Sequence, residues 1–426
     1  MTLPRPGPPA AAALLSLAAV FLPAAPTRAE EPLPPRYELL FSPTLDAECG
    51  ARLVSSAVTG TASAEERLFR PFGSGAGGAI ARGARALVWD APMAWWFGVA
   101  LHEASGHGGR AREFNASPGV HLGSPWGGRD SYASFDLAGT SSEERLYIYI
   151  GGAEANTLAA TLLERRVVEG VRMRPIELLY LLSNRLVASD YVLRTTPDPR
   201  TEPGRFYGEY QGGGDVANYL GFLHELHDTG SGITPTAVDA TIEREYRRLR
   251  RQAYWNALDP GAWWALASAL RQAVRGDDTA ALPLPRAGRF RYLPVLSSEW
   301  TPSGGGASLE WMMAPAGPRT GSPAAQRPRT LSFVARRGRG PSGAFAALGA
   351  SAEDLVPAGR FRLGGAVEAW HDPRDGLGGG ARLRARLVRG GLRGLYIDLG
   401  VKSQGYWMAQ PATPGPYGAI GLLYLP

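Results

Sequence analysis

Cysteine is all but missing. Cys49 is the only one in 426 residues, so no disulfide can form within the chain. A single thiol of this kind reads as a small buried apolar group rather than a nucleophile. Long hydrophobic runs are missing too. A spanning helix needs roughly 20 apolar residues, and the two best stretches, Ala10–Leu22 and Met93–Leu101, both fall short. There is no acidic excess: the formal charge is +6, carried largely by arginine, which suits anionic surfaces without naming a partner. Histidine is scarce, six in all. Glycine and proline are not scarce: 55 and 35 residues predict many turns and long loops.

The N-terminus reads as an export leader over residues 1–29, with Arg5 ahead of the apolar core and Thr27-Arg28-Ala29 as a small-residue cleavage site. An uncleaved anchor is the alternative. The expected address is therefore the periplasm or outer membrane of a Gram-negative bacterium. Nucleic acid is not an expected partner there, and the basic run Glu243–Arg251 reads as a solvated helix face. Gly73–Gly78 has no lysine-bearing helix behind it, so it reads as a flexible loop and not a phosphate cradle.

The informative stretch is Trp95–Gly109, an apolar run ending in His102-Glu103-Ala104-Ser105-Gly106-His107. Two imidazoles supply nitrogen ligands for Zn²⁺, and a carboxylate beside them can take a proton from water. The familiar H-E-x-x-H spacing puts both histidines on one helix face. Here there is one residue more. At about 100° per residue, a five-residue step leaves the rings roughly 140° apart on a regular helix. A π-bulge would bring them together, and such bulges occur mostly at functional sites. The alternative is a buried helix end with two hydrogen-bonded histidines.

These six residues resemble the HExxGH motif of the dipeptidyl peptidase III family, zinc metallopeptidases of the gluzincin type. The resemblance implies His102 and His107 as ligands, Glu103 as general base, and a third ligand from a glutamate some fifty residues downstream. With Ala111 four residues after His107, the stretch is also similar, less closely, to the HExGHxxxA of site-2-type membrane proteases.

Downstream, Ser141 and Glu144 fit a capping box opening a helix that runs to about Arg166. Glu154 is the one acid in its apolar middle, and a lone buried carboxylate must be paired or metal-bound. Its distance from His107 is close to the family's spacing, which implies Glu154 as the third ligand; a buried acid bonded to Tyr or Asn is the alternative. Gly-Gly-Ala-Glu-Ala-Asn replaces the family's second motif, so substrate class does not transfer. Residues 108–139 read as a long loop over a cleft, with His121 a surface histidine. A helix from Asp215 to His227 carries His224 and His227, and Asp215 or Asn218 could line the same cleft. Tyr207, Tyr210 and Tyr219 read as core or rim. Asn256–Gly261 faintly resembles a ligand-bearing element of site-2-type proteases but reads as turn chemistry.

After about residue 285 the hydrophobic period changes from 3.6 to 2. Phe361, Leu363, Val367 and Ala369 alternate with Arg362, Ala366 and Glu368, and Leu395, Ile397, Leu399 and Val401 with Tyr396, Asp398 and Lys402. About eight such strands predict an eight-stranded barrel, with the apolar-out, polar-in pattern of outer-membrane barrels. Tyr424-Leu425-Pro426 lacks the usual terminal aromatic, and a soluble sandwich is the alternative.

The expectation is thus an α+β chain: leader 1–29, linker and N-terminal segment 30–85, helical zinc-binding catalytic domain 86–280, and an antiparallel β-domain 286–426. The expected function is an exported zinc-dependent metallopeptidase acting on peptide or protein substrates, possessed of a β-domain that can associate with the outer membrane. The alternatives are a non-enzymatic outer-membrane barrel with a helical accessory part, and a membrane-embedded site-2-type protease.

Overall fold

The computed structural model describes residues 37–69, 75–127, 130–228, 230–276, 283–316, 330–358, 361–389 and 393–424. The expected leader at 1–29 lies outside them. The chain opens with a short strand, β1 (Tyr37–Phe41), then helices α1 (Ala47–Phe69), α2 (Ala76–Arg85) and α3 (Ala91–Leu101). A π-helical segment, Ala86–Asp90, joins α2 to α3, and a second π turn, His102–His107, joins α3 to the short α4 (Gly108–Glu113). A small hairpin follows, β2 (Gly119–His121) with β3 (Tyr132–Ser134). Then come α5 (Ser142–Glu169), α6 (Pro175–Asp190), a π segment at Tyr191–Thr195, α7 (Pro203–Gly212), α8 (Asp215–Glu225), α9 (Ala240–Ala257) and α10 (Pro260–Arg275).

Local chemistry sets several of these boundaries. Ser141 Oγ accepts from the Glu144 amide while Glu144 accepts from the Ser141 amide, so the expected capping box opens α5. Gly170 closes it in the left-handed region at φ 76°, where a side chain would be strained. Asp259 caps α10 through Oδ2, which accepts from the Ala262 amide at 2.8 Å; its Oδ1 accepts from the Leu296 amide at 2.8 Å. One buried carboxylate thus ties a helix start to the sheet. The Asn256–Gly261 element is this junction.

The rest of the chain is strand: β4 (Arg286–Ala287), β5 (Phe290–Thr301), β6 (Gly304–Pro315), β7 (Thr330–Gly340), β8 (Gly343–Ala358), β9 (Phe361–Asp372), β10 (Gly376–Arg389), β11 (Arg393–Lys402) and β12 (Gly415–Tyr424). They form a ten-stranded antiparallel sheet in the order β1-β12-β11-β10-β9-β8-β7-β6-β5-β4. The α+β class holds. The eight-stranded barrel does not. The eight long strands β5 to β12 are present, but β12 takes β1 as its second neighbour and β5 takes the two-residue β4, so the sheet ends at two edges. The face that a barrel would close upon is occupied by helices, with α5 lying against β5, β6 and β7.

The helical and strand-rich parts share one core. Ala155, Leu163, Ile176 and Trp264 of the helices cluster with Leu293, Val295, Met312 and Ala314 of the sheet. The segment before residue 86, expected as linker and N-terminal segment with a short strand at Tyr37–Phe41, supplies that strand as the edge strand β1 and, unexpectedly, the half-buried helix α1. Toward the helices the sheet presents charge. Arg384 reaches Glu48 at 2.7 Å and Glu353 at 3.0 Å and also pairs with Asp398, and Arg386 reaches Glu353 at 2.6 Å and Asp354 at 2.9 Å. All of these groups are buried. The alternating apolar residues point the other way.

Asp259→Ala removes the cap of α10 and leaves the Leu296 amide unpaired. It is expected to lower the unfolding free energy by on the order of 2–3 kcal/mol, read by urea denaturation.

Candidate metal centre

The π turn does what a regular helix cannot. Its i→i+5 hydrogen bonds take in one more residue per turn, so His107 comes round beside His102. The two ring centroids lie 4.6 Å apart with planes at 80°. His102 Nε2 and His107 Nε2 face each other at 3.0 Å. The first carboxylate they meet is Asp215, at the start of α8: Oδ2 is 2.9 Å from His102 Nε2, and Oδ1 is 3.2 Å from His107 Nε2. All four residues that carry the motif chemistry, His102, Glu103, His107 and the neighbouring Gly106, are buried.

Glycine makes the arrangement possible. The π turn crosses α5 backbone to backbone. A Cβ on Gly106 would fall 2.6 Å from the Gly151 carbonyl oxygen, and one on Gly151 would fall 2.4 Å from the Gly106 carbonyl oxygen. Gly152 lies directly under the imidazoles, where a Cβ would meet His102 Nε2 at 2.4 Å and His107 Nε2 at 2.6 Å. No side chain fits at these three positions.

The outer ring nitrogens fix the tautomers. His107 Nδ1 lies 2.7 Å from the Ile148 carbonyl oxygen, which can only accept, so Nδ1 carries the proton. His102 Nδ1 lies 2.6 Å from Asn156 Oδ1. The Asn156 amide is oriented by its own donors, Nδ2 giving to the Gly98 carbonyl at 3.0 Å and to Asn184 Oδ1 at 2.7 Å. Its Oδ1 therefore accepts, and His102 Nδ1 also carries the proton. In the neutral rings both Nε2 atoms are then bare lone pairs, aimed at each other and at a carboxylate. Such a convergence is satisfied by a proton, as on His107, or by a metal ion between its members. Donors on one tetrahedral Zn²⁺, at bond lengths of 2.0–2.1 Å, sit roughly 3.3 Å apart. The observed 2.9, 3.0 and 3.2 Å are close to that. His102, His107 and Asp215 could hold a metal ion.

Electrostatics agree with the geometry. Burial alone would push the His107 imidazolium down, but the Asp215 carboxylate overrides it and raises the pKa to about 9. Burial alone would raise the Asp215 carboxyl; His107 and His102 hold it well below the usual range instead. Glu103 is raised by burial, which outweighs the two nearby histidines, and accepts from the Ala133 amide of β3. The Tyr191 ring stacks on His102 at 5.3 Å, and burial followed by Asp215 and Glu103 raises its phenol well above the ordinary value.

Glu154, expected as the third ligand, does not join this group. Its carboxylate is held by Arg110 Nη2 at 2.8 Å and Nε at 3.0 Å, by Tyr406 Oη at 3.1 Å and by the Ala409 amide at 2.6 Å. The buried acid is paired with a cation. His121 stacks on Tyr132 in the hairpin, His224 turns to the Gly230 carbonyl, and Asn218 bonds back to Tyr210 and Gly214. Tyr219 donates to the Thr301 carbonyl and Tyr210 to Glu225. Asp215 was only a cleft-lining candidate in the sequence, and Tyr191 had no signal beyond its place at a helix end. Comparison with family models, with curated proteins and with solved structures finds no match to this chain.

Three outcomes follow. Gly152→Ala is expected to abolish stoichiometric zinc binding, measured by metal analysis, with far-ultraviolet circular dichroism unchanged; full binding would contradict the close contact. In chelator-treated protein, the raised His107 value stabilises the fold fully below its usual 6.5, and that contribution is lost as pH rises through about 9. The depressed Asp215 value contributes above its usual 3.8 and is lost as pH falls below it. The melting temperature should therefore fall between pH 6.5 and 9. Zinc uptake at pH 7 should release about one proton, read by titration in weak buffer.

Proposed function

We propose that the chain is a zinc-dependent hydrolase of amide bonds, a metallopeptidase acting on peptide or protein substrates. The observation that carries this reading is the convergence of two imidazole Nε2 atoms and one carboxylate, with Glu103 next to them and, among the described residues, in no salt bridge to Arg or Lys. His102, His107 and Asp215 would hold the ion, leaving a fourth position, as catalytic zinc sites do. Bound there, Zn²⁺ supplies Lewis acidity, lowering the pKa of a water and polarising a carbonyl.

The chain's own groups do the rest. Glu103, its pKa raised by burial, is a better proton acceptor near neutral pH than an ordinary carboxylate. It takes a proton from the attacking water and delivers it to the departing amine nitrogen. Tyr191, protonated throughout this range, offers a phenol hydrogen bond to the oxygen on which negative charge develops. Asn156 keeps the His102 ring in its tautomer, and the Ile148 carbonyl does the same for His107; such outer partners set ligand orientation. Glu103 is tethered to β3 through the Ala133 amide and nearly closed off, so the β2–β3 hairpin is the element whose displacement would expose it to a substrate.

The test uses full-length protein loaded with Zn²⁺ and a mixture of quenched fluorescent peptides. Glu103→Gln is expected to keep about one zinc and lose hydrolysis by on the order of 10²–10⁴-fold. Asp215→Ala and His102→Ala should lose the metal, while Glu154→Gln should keep it. A Glu103→Gln variant as active as the parent, or zinc retained by Asp215→Ala and lost by Glu154→Gln, would overturn the reading.

A further inference from the structure

The sheet is inside out for a protein in water. Along β9, β10 and β11 the residues turned toward the helices are charged and buried, among them Glu368, Arg384 and Asp398. Their neighbours, turned outward, are aliphatic and exposed: Val367 at 57%, Leu383 at 53% and Leu399 at 58%. A sheet with one solvated face normally shows the opposite.

The outward face is continuous. One row runs Ala335–Leu348–Ala369 across β7, β8 and β9, and the row beside it runs Trp311–Phe333–Ala350–Val367–Ala381–Val401. Small residues in the middle, Ala350, Gly365 and Ala381, leave a shallow groove walled by Phe333, Leu383 and Leu399. The helix α10, which packs on β5, also exposes Leu270 and Val274.

The face is bounded at both ends. At one end the row Arg337–Ala346–His371–Leu377 brings in two polar outward residues, Arg337 and His371, beside the exposed Leu377, with Arg339 beyond it. At the other the outward row is Phe361–Leu387–Leu395–Leu422, with the exposed Tyr424 beyond it. Between Phe361 and Ala369, nine residues of β9, no outward side chain is charged. A strand crossing hydrocarbon at a tilt needs about 9–11 residues. Apolar bands closed by aromatic rims mark sheets that meet lipid.

From this we infer that the outer face of β6–β12 is seated in the hydrocarbon of a phospholipid bilayer, with Arg337 and Arg339 at the level of anionic headgroups. A protein partner fits the face poorly. Protein interfaces carry about one hydrogen bond per 100–200 Å², and apart from the Trp311 indole this band offers no side-chain donor or acceptor. Acyl chains ask for none. The inference is independent of the metal centre, which lies among the helices.

The experiment labels Leu399→Cys in the purified full-length chain with a polarity-sensitive fluorophore; Cys49 is buried and stays unlabelled. Vesicles of phosphatidylcholine and phosphatidylglycerol should shift the emission to the blue and carry the protein up a flotation gradient. The same label on Arg194→Cys, a solvent-exposed position among the helices, should not shift. A Val367→Asp/Leu383→Asp/Leu399→Asp variant should float at least about tenfold less, since a charge on a lipid face is strongly disfavoured; circular dichroism reports that it is folded. Removing phosphatidylglycerol should weaken flotation without abolishing it. The inference is overturned if the Leu399 label does not respond to vesicles. It is equally overturned if the label shifts with protein concentration alone, which would make the face a contact between copies of the chain.

Discussion

The contact on which the rest depends is the crossing of the His102–His107 turn over α5, where Gly106 and Gly151 meet backbone to backbone. Bringing the two segments this close puts the Ile148 carbonyl under one imidazole and the Asn156 side chain under the other. Those two acceptors take the Nδ1 protons and leave both Nε2 atoms bare. Widen the crossing by the thickness of one methyl group and the acceptors no longer set the tautomers; add that methyl at Gly152 and it collides with both rings. The chemistry of the site is thus decided by residues with no side chain. Asp215 arrives from the first turn of another helix, where the helix dipole also favours its negative charge.

The same helix α5 couples the site to the sheet. Two residues past Gly152, Glu154 draws in Arg110 from one side and Tyr406 and the Ala409 amide from the other. A buried pair of this kind adds little net stability, yet removing one partner strands the other, at a cost of about 3–5 kcal/mol. It fixes where the β11–β12 connection lies over α4 and α5. Farther along, Arg382 and Arg384 of β10 meet Glu48 of α1, which also holds Arg52, while Arg384 pairs with Glu353 of β8 and Asp398 of β11. The inward polarity of the sheet is therefore satisfied by pairs across its own strands and by α1, which leaves its apolar residues no place but outside.

Much of this was legible in the chain. The five-residue spacing of His102 and His107 demands a widened turn if both rings are to meet, and the π turn is there. The switch from a 3.6 to a 2 period marks the strands, because alternation does not depend on which face is buried. Glu154 was legible as a buried acid needing a partner, but not which partner, since Tyr406 and Ala409 lie 252 and 255 positions away. Asp215 follows three glycines and reads as an ordinary helix start; only the tertiary fold brings it to His102, 113 positions earlier. Helix α1 escaped notice because its buried side carries Ser55, Thr59, Glu48 and Arg52, which a hydrophobic pattern does not register. Barrel closure failed for a similar reason: the partner of β12 is β1, at the far end of the chain.

The central claim, that the two imidazoles and Asp215 enclose one cation, is tested most directly by X-ray absorption at the zinc edge of the loaded protein. The account predicts a shell of two imidazole nitrogens and light oxygen donors at about 2.0–2.1 Å, with the imidazole signal lost in His107→Ala and the oxygen shell altered in Asp215→Ala but not in Glu154→Gln. A spectrum with one imidazole or none, unchanged by His107→Ala, would contradict it.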